Sequence, residues 1–286
     1  MLAVAGTVPL ADLSVLEGDV ELEGGRLRVD AAVLDLDRGT PALLAAACAA
    51  ARTLGREAPH AFLVGDIGTG QGSRALYGHL ERRLPETPAS VLAFHYFLPD
   101  ADWHNRVLFA VQAMRPLPRL VADAGFMYAA KMSGQAGEYD LFTPDAGELA
   151  FLADENAPHP FYARGFLLAE EAKAPGLIAR AAGNGGAARH LLVKGEIDRV
   201  TRGPEILFEI SEPSVDAMEA MGGTGDTLTG LACALLESGR DVPEACLLAA
   251  RTNRLAGALA DLTPASRIHE VVERIPEALE RVLARA

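Results

Sequence analysis

The stretch Ala220-Met221-Gly222-Gly223-Thr224-Gly225-Asp226-Thr227-Leu228-Thr229-Gly230 runs a glycine cluster straight into helix-forming sequence. Glycines at a helix start leave several backbone N–H groups free at its positive end, with no side chain to block a phosphate. A carboxylate inside that turn repels phosphate. Asp226 is therefore poorly placed as a ligand and well placed as a base that takes a proton from a substrate hydroxyl. Gly223, Thr224 and Gly225 would then stabilise the charge on a transferring phosphoryl group. The competing reading is that Gly222 and Gly223 form a turn and Asp226 caps the helix.

Other residues could join this chemistry. Lys194 ends an apolar run and could reach a phosphate oxygen as a point charge, the alternative being a solvated surface lysine. Asp145 and Glu148 stand three apart at a helix start, so both carboxylates share one face. There they could organise a hydrated Mg²⁺ or merely complement the helix dipole. Gly65-Asp66-Ile67-Gly68-Thr69-Gly70 follows the strand-like Phe62-Leu63-Val64. Gln71 stands where a P-loop needs lysine and Ser73 where GxGxxG needs its third glycine, so both motifs fail. What remains is a close backbone approach to substrate through Asp66, Gly68 and Gly70. His95, Asp102 and His104 lie in one short stretch with Trp103, but their spacing fits no standard metal pattern. Asp102 is expected to cap a helix beginning at Trp103, and His104 to face solvent.

A frame must position these residues. Short apolar runs at 61–64, 91–97, 117–122, 139–142 and 191–193 alternate with helix-like stretches starting near Ser73, Trp103, Ala124 and Pro144. Strand then helix, repeated, predicts a mostly parallel sheet with helices on both faces. Two alternating runs within 20–29, joined by Gly24-Gly25, predict a hairpin. Thr40 as N-cap and Pro41 as first helical residue open a helix toward Leu54. Runs at 197–201 and 206–210 predict an antiparallel hairpin on the sheet edge, and helices over 226–238, 243–262 and 269–285 finish the chain. The stretch 181–187 reads as a loop. With no linker and no internal repeat, residues 1–286 are expected to form one domain.

Composition narrows the partners. Half of the 286 residues are hydrophobic, enough for an ordinary core. A net charge of −13, from 26 basic and 39 acidic residues, excludes an extended nucleic-acid footprint and points to a small-molecule ligand held locally. Cys48, Cys233 and Cys246 lie in Ala/Leu-rich stretches without a CxxC pair, as core residues of a protein in a reducing compartment would. The first residues lack the basic region of a secretion signal, and no apolar run approaches the roughly 20 residues a membrane span needs. A cytoplasmic protein without membrane or nucleic-acid partners is expected, and nothing opposes a homo-oligomer.

The glycine segment resembles the GTGD signature of the ribokinase-like superfamily. In the form Gly-Thr-Gly-Asp-Thr-Leu-Thr-Gly it is most similar to the branch of ADP-dependent NAD(P)H-hydrate dehydratase, with pyridoxal kinase further off. Leu192-Val193-Lys194-Gly195 resembles that family's strand ending in Lys-Gly, Thr143-Pro144-Asp145-Ala146-Gly147-Glu148 its Thr-Pro-His-Pro-Gly-Glu, and Val121-Ala122-Asp123-Ala124 its Asp-Ala-Asp-Ala. The glycine loop at 65–70 sits where the family has Gly-Pro-Gly-Leu-Gly. The likeness covers about residues 60–262, and residues 1–58 match least.

The resemblance implies a three-layer α/β/α sandwich with a mostly parallel central sheet and an antiparallel edge hairpin. It implies ATP or ADP with Mg²⁺, nucleotide contacts from Gly222, Lys194, Gly195 and Asn253, substrate contacts from Asp66, Gly68, Gly70 and Asp123, and metal contacts from Asp145 and Glu148. This sequence departs from the pattern at Asp145 and Ala146, at Val121, and at Asn253-Arg254-Leu255-Ala256-Gly257 in place of His-Gly-x-Ala-Gly. These positions lie toward the substrate, so nucleotide chemistry is better supported than any one acceptor. The expected activity is nucleotide-dependent dehydration of hydrated NAD(P)H. A kinase for a small hydroxylated metabolite would use the same residues. A nucleotide-binding regulator without turnover would gain nothing from Asp226, a carboxylate beside phosphates.

Overall fold

A computed structural model describes residues 1–157, 173–263 and 265–285. Its strands are β1 (Leu2–Val8), β2 (Leu16–Glu23), β3 (Arg26–Val29), β4 (Ala32–Asp35), β5 (His60–Gly65), β6 (Val91–His95), β7 (Arg119–Ala122), β8 (Leu141–Phe142), β9 (His190–Val193), β10 (Asp198–Arg202) and β11 (Glu205–Ile210). Helices α1 (Thr40–Thr53), α2 (Gln71–Arg83), α3 (Ala101–Gln112), α4 (Gly125–Met132), α5 (Ala146–Leu152) and α6 (Ala174–Gly183) fall between them. The chain ends in α7 (Asp216–Ala220), α8 (Thr224–Glu237), α9 (Val242–Leu259) and α10 (Ile268–Leu283).

The strands join one sheet in the order β11-β10-β9-β8-β7-β6-β1-β5-β2-β3-β4. From β9 to β5 every neighbouring pair is parallel. The β10–β11 hairpin closes one edge antiparallel, as its spacing implied, and β2, β3 and β4 extend the other edge antiparallel from β5. Two apolar cores, one on each face, complete the three layers. One packs α1, α8, α9 and α10 against the sheet; the other packs α2 to α6. Helices α1 and α8 approach so closely that a side chain at Gly230 would meet the Leu43 carbonyl oxygen at 2.1 Å, which only glycine avoids.

Five local expectations change. Residues 1–8, read from the sequence only as lacking a signal, form the central strand β1, buried along all seven of its positions because it is laddered to β5 and β6 on both sides. The cap of α1 is Gly39, not Thr40, whose hydroxyl instead donates to the Thr7 carbonyl of β1 at 2.7 Å. Asp100 caps α3 in place of Asp102, accepting from the Trp103 N–H at 3.1 Å. His104 is fully buried rather than solvent-facing, 2.8 Å from the Tyr139 hydroxyl and 2.9 Å from Ser133 Oγ. The loop expected over 181–187 is shorter, since α6 continues to Gly183. Cys48, Cys233 and Cys246 are free and buried, as their surroundings required. Among the described residues no helix is long and apolar enough to cross a membrane.

Candidate active site

Parallel strands share a carboxyl end, and open α/β sheets place their ligands there. Four adjacent strands each deliver one polar residue to that edge: His95 ends β6, Asp123 follows β7, Thr143 follows β8 and Lys194 follows β9. Apart from Arg119 and His190, which open β7 and β9 at the opposite edge, these strands are apolar, so each polar residue marks the point where the chain leaves the core. All four side chains are largely shielded, His95 and Thr143 completely.

Helix α8 starts above this row. Its cap is Gly223 at φ +102°, a left-handed conformation, and a side chain there would also meet Ile268 at 2.9 Å. The turn is therefore bare, with the first N–H groups of a 14-residue helix facing outward. Over it lies Lys194, whose Nζ is 3.6 Å from where a Gly225 side chain would begin. A cleft of about 310 Å³ opens beside Gly222, between Asp37 and Arg38 on one side and Ser266, Arg267 and Ile268 on the other. Two exposed arginines thus flank the turn of a chain that is acidic as a whole.

Asp226 occupies the third helical position, not the cap. Its Oδ2 accepts the Gly39 N–H at 2.7 Å, and its Oδ1 lies 3.1 Å from His95 Nε2. The capping alternative therefore fails, because the carboxylate bonds to α1 and β6 instead of its own helix. Burial opposes its charge, but the His95 ring, the Lys194 ammonium and the Gly39 amide more than offset that and hold it below the usual carboxylate range. Lys194 bonds both oxygens of Asp123, at 2.9 and 3.0 Å. Burial alone would lower the lysine; Asp123, Glu148 and Asp226 outweigh it and keep Lys194 above its ordinary value, so it is a charged group held in place and not a solvated one. Among the described residues, His95, Asp123 and Asp226 are the group whose ligand atoms gather within 4.8 Å of one another. The Nε2 proton, lying between carboxylate oxygens, accounts for that gathering.

Several expected contacts are already occupied. Asp123 is 1 % exposed and accepts from Ala124 N, Lys194 Nζ and Thr229 Oγ1, which anchors the site from beneath. Asn253 holds Thr227 Oγ1 and the Thr224 carbonyl, supporting the start of α8. The Gly195 N–H is given to Asp198 Oδ1, and the Thr224 hydroxyl to the Met218 and Met221 carbonyls. In the 65–70 loop, the Asp66 carboxylate gathers the N–H groups of Gly68, Gly70 and Ser73.

Asp145 and Glu148 form a reciprocal capping box: each carboxylate accepts the other's backbone N–H, at 2.7 and 2.8 Å. Burial, helped by Asp123 and Asp145 and opposed by Lys194, pushes Glu148 up to about 8. Asp145 Oδ2 and Glu148 Oε1 lie outside the capping pair, so each carboxylate keeps an oxygen that a hydrated magnesium ion could use. The residue that sequence reasoning missed is His95, grouped there with Asp102 and His104 because they are near in sequence.

A three-layer sandwich whose glycine-opened helix sets a carboxylate over parallel strand ends defines a ribokinase-like α/β protein. The profile of the carbohydrate-kinase family described as NAD(P)H-hydrate dehydratase matches residues 97–277, and the chain belongs to that family. It is 39 % identical over 220 residues to an uncharacterized protein of Methanocaldococcus jannaschii, covering 77 % of this chain and 90 % of that one. It is 37 % identical over 217 residues to the bifunctional NAD(P)H-hydrate repair enzyme of Hyperthermus butylicus, covering 72 % of this chain but only 37 % of that enzyme. The fold is shared with the ADP/ATP-dependent NAD(P)H-hydrate dehydratase of Bacillus subtilis, crystallized with ATP and Mg²⁺, at a TM-score of 0.58 and 14 % identity over 98 % of this chain and 89 % of that one.

Proposed function

We propose that this protein uses ATP or ADP to dehydrate hydrated NAD(P)H, with the nucleotide phosphates over the α8 turn and Asp226 as the base. The observation that carries this reading is the Asp226 carboxylate, kept charged and pinned by Gly39 and His95 beside a turn without side chains. The turn fits an anionic phosphate chain: Gly222, Gly223 and Gly225 leave backbone donors uncovered, Lys194 lies alongside, and Arg38 and Arg267 flank the cleft. Asp145 and Glu148 are the carboxylates that would hold a hydrated Mg²⁺ beside those phosphates, where it would offset part of their charge.

In this reading Asp226 accepts the proton of the substrate's ring hydroxyl as that oxygen bonds to the terminal phosphorus. The bond from that phosphorus to the bridging oxygen breaks, leaving ADP from ATP or AMP from ADP. Departure of the new phosphate with a ring proton restores the dihydronicotinamide. Backbone N–H groups of the α8 turn and the Lys194 ammonium stabilise the charge that develops. The free buried cysteines suit a cytoplasmic setting.

Nucleotide binding is the first thing to test. ATP or ADP should raise the melting temperature by mass action, worth about 2.7 kcal/mol at a hundredfold excess over the dissociation constant. No shift with either nucleotide at millimolar concentration would remove the proposal.

A further inference from the structure

His95 ends a strand otherwise made of Val91, Leu92, Ala93 and Phe94, and its ring is fully buried. A buried imidazole needs partners at both nitrogens. Nε2 lies 3.1 Å from Asp226 Oδ1 and 3.7 Å from Asp123 Oδ2. Carboxylate oxygens only accept, so Nε2 carries a proton. Nδ1 lies 3.0 Å from the Thr40 hydroxyl, itself held to the Thr7 carbonyl of β1. The ring cannot rotate without breaking contacts to α1 and α8 at once, and Tyr96 stands edge-on against it at 4.4 Å. Asp226 is thereby gripped from two elements: Oδ1 by β6 through His95, Oδ2 by α1 through Gly39.

We propose that His95 is the positioning residue of this site, donating from Nε2 to Asp226 Oδ1 and so fixing the plane in which the carboxylate meets the acceptor hydroxyl. This rests on the reading of Asp226 as the base. The groups that face Asp226 are His95 at the end of β6, Tyr96 just after it, Asp123 after β7 and Lys194 after β9; Glu148 acts on Lys194, and Asp145 on Glu148. Of these, His95 and Lys194 favour the charged carboxylate. Loss of the His95 donor should therefore raise the pH at which Asp226 takes up a proton.

Two substitutions separate positioning from packing. Glutamine can present an amide N–H where Nε2 stands; asparagine is too short. His95→Asn should lower kcat by about 10²-fold, the scale of a misplaced reacting group, with the nucleotide KM unchanged and the acid limb of the pH profile moved upward. His95→Gln should recover most of that rate and return the limb toward its original place. A loss of kcat with an unmoved limb and no recovery in His95→Gln would overturn the inference, as would full activity in His95→Asn. A readout without turnover keeps the two readings apart. The ¹³C carboxyl signal of Asp226 should titrate at higher pH in His95→Asn than in the parent, and near the parent value in His95→Gln. If the signal moves so in a protein that turns over no hydrate, the functional reading fails and the inference stands. If it titrates alike in all three, the inference fails even in an active enzyme.

Discussion

Asp226→Asn should give a folded, nucleotide-binding protein whose turnover is about 10²- to 10⁴-fold below the parent, the usual worth of a general base. The substitution keeps size and shape, and asparagine can still accept the Gly39 N–H through its carbonyl oxygen. It cannot also accept from His95 with charge, so one charge-assisted hydrogen bond is lost, a cost of about 1.5–3 kcal/mol that urea unfolding would register. Nucleotide affinity should stay level or improve slightly, because a negative charge beside the phosphates has gone. Calorimetric titration of ADP and ATP, run beside the kinetics, separates these effects. Turnover near the parent rate in a variant that binds nucleotide would show that Asp226 only ties α8 to α1 and β6.

Lys194→Met should destabilise the fold by about 3–5 kcal/mol, the range seen when one partner of a buried ion pair is removed. The loss is large because Asp123, 1 % exposed, would keep its charge with Thr229 and the Ala124 N–H as its remaining close donors. Replacing both partners, as Lys194→Met with Asp123→Asn, should restore part of the stability, since neither charge is then left alone. Chemical unfolding at pH 7 measures both variants. Folding raises the lysine above its ordinary 10.5, so its contribution is complete below that pH and is lost only as pH climbs beyond it. A single-variant loss below about 1 kcal/mol, the usual worth of an exposed pair, would mean that the pair is solvated and that Lys194 is no fixed part of the site.

The parallel frame was legible because each strand and helix announces itself locally: an apolar run of five or so residues, then a longer amphipathic stretch. Strands β5 to β9 and the β10–β11 hairpin lie where those runs put them. Strand β1 was not legible, because Leu2–Val8 is rich in Ala and Gly, and burial on both faces removes the alternation that marks a half-exposed strand. The bare glycine turn at the start of α8 was legible from the spacing of Gly222, Gly223 and Gly225. Whether Asp226 caps or catalyses was not, since the two readings differ by three residues in where α8 begins, finer than a sequence fixes a helix end. His95 was drawn toward Asp102 and His104 by proximity in the chain, yet its partners are Thr40 and Asp226, 55 and 131 residues away. A signal was present all the same. A lone histidine closing an apolar strand, at the edge where the next strands end in Asp123 and Lys194, is where a parallel sheet gathers its chemistry. What the sequence did not reveal for Asn253, Gly195 and Asp66 is the partner each has within the fold: Thr227, Asp198 and Ser73.

The return of reduced-nicotinamide absorbance from hydrated NADH, freed of NADH beforehand, tests the central claim most directly. With the protein and either ATP or ADP, absorbance should return and one nucleotide should be cleaved for each NADH formed, while the Asp226→Asn protein stays near the blank. No return with either nucleotide, in a protein that binds nucleotide and passes phosphate to some other hydroxyl compound, would contradict the account and leave a kinase in its place.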